Sequence, residues 1–132
     1  MELDIDRYIG IPYCPRHMDC ADLTLLVQRE IFGRAIRLPG ERPRPLDGAS
    51  QRDLIAQYSE ALAHPVVIPQ SGDVVLMRDT GVMRAGHIGT YIHINHAPYV
   101  LHTSHALGAS VLHRVQDLRG WGLHIESYYR WI

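Results

Sequence analysis

Lysine is absent from this chain of 132 residues: all 13 basic residues are arginine, set against 14 acids, for a formal net charge of -1. The arginines are scattered, so there is no basic stripe to follow a phosphate backbone, and no nucleic-acid partner is expected. No apolar run is long enough to cross a bilayer, which argues against a membrane span. The opening MELDIDRYIG lacks the basic and apolar regions of a signal peptide, so no secretory leader is expected. Cysteine is scarce. A bridge between Cys14 and Cys20 would close only a short loop, too little to staple a domain of this size. With 46% hydrophobic and 20% charged residues, the chain reads as a single globular domain over 1–132, able to bury a core.

What is present divides into two halves. A helix is expected from Cys20 to Phe32, with Asp19 as N-cap, Leu23, Leu26, Val27 and Ile31 at helical spacing, and Gly33 as the stop. RLPGERPRPLDGAS follows as a surface loop. A second helix, roughly 50 to 63, opens on Ser50 and Asp53, carries Leu54, Ile55, Tyr58 and Leu62 on one face, and ends at Pro65. The pattern then changes to short β-branched and aromatic runs, DVVLMRD, HIGTYIHI, YVLHTS, ASVLHRV and LHIESYYRWI, separated by turn residues. Helices first and an antiparallel meander afterwards make an α+β domain.

Cys20 stands at the mouth of the first helix, where exposed N–H groups and the positive end of the helix dipole stabilise a thiolate. A small apolar residue seating the helix on the sheet would suit the same position, and placement alone leaves both readings open. A thiolate used for acyl transfer needs a base. His87, at the start of HIGTYIHI, can point into a cleft while Ile88, Ile92 and Ile94 pack the opposite face. A base also needs a partner to hold its tautomer, and His102 in YVLHTS is suited to that. With a four-residue turn from Asn95 to Pro98, Ile94 pairs with Tyr99 and Tyr91 with His102, so His87 and His102 share a face. His105, His93 and Asn95 are substitutes for the third position.

GIPY, DCADLTLLVQREIFG, SGDVVLMR, HIGTYI and VLHTS, in that order, resemble the NlpC/P60 family of papain-like cysteine peptidases over about Tyr8 to Val115. The ending HIESYYRWI looks like members encoded in phage tail gene clusters. The resemblance implies a papain-like NlpC/P60 fold, N-terminal helices on a five- to six-stranded antiparallel sheet, with Cys20 as nucleophile, His87 as general base and His102 orienting it. Tyr13 would then stabilise the oxyanion. The implied reaction is hydrolysis of an amide in peptidoglycan stem peptides, without a cofactor. The resemblance further implies synthesis in a bacterial cytoplasm, association with other phage tail-tip proteins, and use in cell-wall penetration. The segment CPRHM is short and has no glycine pair, unlike the Gly-rich segment of relatives, and Ala21 and Asp22 follow the cysteine where Ser or Trp and then Gly are common.

Three other readings compete. A structural tail-tip component could keep the fold without the chemistry. An antibacterial effector amidase could be delivered by an injection system. A metal site could draw on His87, His93, His96, His102 and His105, but these lack the tight ligand pairs of zinc sites, and no metal is expected. Arg16 and His17, in the loop before Cys20, could touch a stem-peptide carboxylate or simply face water. The aromatic segment with Trp121, Tyr128, Tyr129 and Trp131 reads as core or a docking surface.

Overall fold

A computed structural model of the chain describes residues 4–36, 62–79 and 86–132. The loop expected after residue 36 and nearly all of the helix expected over 50–63 lie outside these. An α-helix, α1, spans Cys20–Glu30. Six strands follow: β1 (Ala63–Val66), β2 (Val74–Asp79), β3 (His87–Ile94), β4 (Ala97–His102), β5 (Val111–Arg114) and β6 (Leu123–Trp131). Short 3-10 helices cover Asp6–Tyr8 and Val115–Trp121. The α+β expectation stands. Among the described residues, no helix is long and apolar enough to cross a membrane.

α1 starts where a side chain can satisfy its first amides. Asp19 Oδ1 accepts from the Asp22 N–H at 2.9 Å, and Asp22 Oδ2 accepts from the Asp19 N–H at 3.0 Å, a reciprocal capping box. The Asp22 carboxylate is thereby turned back onto the cap. At the other end the last helical residue is Glu30, two short of the expected Phe32, and Gly33 takes the left-handed φ of +69° that releases the chain.

All the strand pairs are antiparallel, in the order β1-β6-β2-β3-β4-β5. β2 to β5 form the expected meander, but β6 does not extend it: it returns to lie between β1 and β2. Two further expectations change. Ala63 and Pro65 belong to a strand, not to the end of a helix; β1 is an edge strand, where proline's missing N–H costs no ladder bond. The β3–β4 turn is two residues, Asn95 and His96, both with positive φ, so Ile94 pairs with Ala97 and Tyr91 with Val100. That register differs from the expected one by two residues. Because side chains alternate with period two, the faces are unchanged.

The two faces bury different clusters. Leu23 and Val27 of α1 pack with Ile92, Leu101, Ile5 and Tyr8 on one side. On the other, Val75, Met77, Tyr91 and Val100 pack under Leu118 and Leu123. Cys20 sits on the helix side against Val74, Leu76 and Ile88, fixing the helix entrance over one end of the sheet. An irregularity between Leu76 and Met77 leaves Glu126 of β6 as an extra residue, and its carboxylate meets the Arg78 guanidinium. Lower in the sheet, buried Asp73 receives both Nε and Nη2 of Arg130, at 3.0 and 2.9 Å, and the Gln70 N–H at 2.8 Å. These contacts tie β6 to the start of β2.

Candidate active site

The antiparallel order brings four strand ends together: the ends of β2 and β4 and the starts of β3 and β6. A cavity of about 420 Å³ opens there, lined among others by Tyr13, Cys20, Asp79, His87, His105 and Trp121. Cys20 comes from α1, His87 from the first position of β3, and Tyr13 from the segment before the helix. The three residues therefore reach one space from three separate elements. Neither cysteine forms a disulfide.

His87 Nε2 lies 2.8 Å from His102 Nδ1. Both rings are buried, on the face that also carries Gly89 and Tyr91, and they meet edge to face at 70° with centroids 5.0 Å apart. Ile88, Ile92 and Ile94 occupy the opposite face. It is thus His102, not His105, that holds the His87 ring. His105 is exposed and instead meets Tyr13, edge to face at 5.9 Å, across the cavity.

Burial pushes His87 down to about 4, opposed by the nearby Asp79 carboxylate. At neutral pH the ring is uncharged and carries one lone pair that can accept a proton. His102 is lowered further, to about 2, by burial and then by its two histidine neighbours, so it remains a neutral hydrogen-bonding group. Tyr13 moves the other way. Burial raises its pKa, and Asp19 and Cys20 raise it further, which keeps the phenol protonated and able to donate.

Not every expected residue enters the cavity. Arg16 and His17 are exposed on the tight turn closed by the Cys14 N–H donating to Met18 C=O at 3.0 Å, and neither lines it. His93 and His96 lie at the hairpin tip, at the far end of β3 from His87. Among the described residues no group of three or more His, Cys, Asp or Glu side chains is arranged to hold a metal ion.

Sequence reasoning missed Asp79 at the end of β2 and, apart from His105, the loop from Thr103 to Leu107, which forms one wall. It also missed His113 of β5. His113 Nδ1 lies 3.0 Å from His102 Nε2, extending the pair to a row of three rings. Trp121, read as core or docking surface, is 59% exposed and stacks on His113 at 4.7 Å and 16°.

Compared with protein-family models, curated proteins and solved structures, the chain finds no match in any of the three.

Proposed function

We propose that the chain is a cysteine peptidase or amidase of NlpC/P60 type that hydrolyses an amide in peptidoglycan stem peptides. The observation that carries this reading is the convergence of Cys20 and His87 on one cavity, with His87 Nε2 tied to His102. In that arrangement Nδ1 of His87 is the nitrogen left for the thiol. A histidine base and a helix-entrance cysteine that open on one cavity are the minimum that acyl transfer by a thiol requires.

The reaction follows from the residues present. His87 Nδ1 takes the Cys20 proton, and the thiolate attacks the amide carbonyl carbon. The negative charge moves to the carbonyl oxygen, where the Tyr13 hydroxyl and the amides at the entrance of α1 can donate to it. Collapse breaks the C–N bond as His87 returns its proton to the leaving nitrogen, leaving a thioester on Cys20. Water, deprotonated by His87, then releases the acid and restores the thiol. None of these steps requires a cofactor.

The setting proposed is a phage tail or an injection system, which would bring the domain to the cell wall. A structural tail-tip role without cleavage is the second reading, favoured by the low exposure of Cys20, 4%. Digestion of peptidoglycan followed by mass spectrometry of the released peptides separates the two. Cleavage by the native protein that is lost in Cys20→Ala and His87→Ala supports the peptidase; absence of cleavage across several wall types supports the structural role.

A further inference from the structure

We propose that His113, clamped by Trp121, is a positioning residue that fixes the direction of the histidine row and so leaves Nδ1 of His87 as its basic nitrogen. This rests on the reading of His87 as general base. The row is His87 Nε2 to His102 Nδ1 at 2.8 Å, then His102 Nε2 to His113 Nδ1 at 3.0 Å.

A neutral imidazole carries one N–H and one lone pair. Three neutral rings joined by two such bonds therefore have only two arrangements that satisfy both. In one, every ring donates from Nε2 and accepts at Nδ1, and the unused lone pair is on His87, where a thiol proton can go. In the other, every ring donates from Nδ1, His87 has a hydrogen where the base should be, and the lone pair emerges at His113. The choice is made at the far end of the row, because the rings between are buried.

His113 is placed to make that choice. It is half-buried and its ring lies flat against Trp121; burial lowers its pKa, only partly opposed by the Asp117 carboxylate, so the ring is neutral like the other two. Nδ1 faces His102, so the tautomer with its hydrogen on Nε2, outside the row, is the one that leaves Nδ1 to accept. In that tautomer His102 donates from Nε2, and its Nδ1 is then left to receive the hydrogen of His87. The arrangement also survives the chemistry: when His87 gains the thiol proton at Nδ1, its Nε2–H still donates to His102, and no other ring rearranges.

Without an acceptor at position 113, the buried Nε2–H of His102 loses its partner, which favours the reverse tautomer. Nitrogen NMR of histidine-labelled protein reads the tautomers directly. The expected native result is Nε2–H on His87, His102 and His113. His113→Phe should shift His87 and His102 away from that form and slow alkylation of Cys20 by iodoacetamide at neutral pH by at least about tenfold, as a wrong tautomer does to a base. His113→Asn, whose Oδ1 replaces the Nδ1 acceptor, should restore both. A native His87 with its hydrogen on Nδ1, or native tautomers retained in His113→Phe, overturns the proposal. If Cys20 proves no more reactive than Cys14 while the tautomers behave as expected, the positioning role stands and the peptidase reading fails alone.

Discussion

A Cβ placed on Gly89 would sit 2.9 Å from the Cβ of His102, 2.7 Å from Val100 Cγ1 and 2.9 Å from the Leu101 carbonyl oxygen. Gly89 shares the sheet face of His87, one pleat along β3, and its missing side chain leaves the space into which His102 leans. Gly89→Ala is expected to cost about 1–3 kcal/mol through overpacking, because the atoms it meets are backbone or closely held side chain. The His87–His102 bond should be disturbed as well. Thermal unfolding measures the first effect and the histidine tautomers the second; native values for both would contradict the crowding.

Stability should fall in acid for a reason that lies in the site. His87 is held at about 4 and His102 at about 2, against 6.5 for an ordinary histidine. Below pH 6.5 the unfolded chain therefore binds protons that the folded chain refuses. The sign is fixed: stability is full above pH 6.5 and drops as pH falls toward 4, at up to about 1.4 kcal/mol per pH unit for each group. Urea unfolding at a series of pH values should show the slope, and His102→Asn should reduce it. An unchanged slope in that variant would assign the effect elsewhere.

The cap of α1 gives a prediction independent of catalysis. Asp19→Ala removes the acceptor for the Asp22 amide and should destabilise the fold by about 1–2 kcal/mol. Asp19→Asn keeps an acceptor and should lose much less. Since the same turn carries Cys20, the alanine variant should also alkylate Cys20 at a changed rate while Cys14 is unaffected.

If Tyr13 donates to the oxyanion, Tyr13→Phe should lower kcat by about 100-fold with little change in KM, since the lost bond is strongest in the transition state. The ring and its edge contact with His105 remain, so thermal stability should hold. A change confined to KM would mean that the hydroxyl binds substrate instead.

Much of this molecule was legible locally. Asp19, the apolar spacing of Leu23 and Val27 and the left-handed Gly33 locate α1 to within two residues at its end. The short β-branched and aromatic runs locate β2 to β6. Parity also put His87 and His102 on one face, and it survived a two-residue error in the register because the pleat repeats every two. The error arose at Pro98, which looked like part of a long turn, while Asn95 and His96 alone make the reversal.

Other features depended on contacts distant in sequence. β1 is only AHPV, and its proline resembles a helix stop until β6 is seen to pair with it. His113 was passed over because β4 and β5 are joined by an irregular segment from which no register follows. Once Val100 is known to face His113, the parity that links His87 to His102 links His102 to His113 too.

The return of β6 between β1 and β2 also orders the assembly of the sheet. β2 through β5 are joined to their neighbours by short connections, so the strands that carry His87, His102 and His113 can pair early, at small cost in loop closure. Until β6 arrives, however, β2 is an open edge with its amides and carbonyls unpaired, and β1 has no neighbour at all. Folding must therefore wait on a strand that supplies only Leu123 to the cavity, and the slowest step should leave the histidine row already in register.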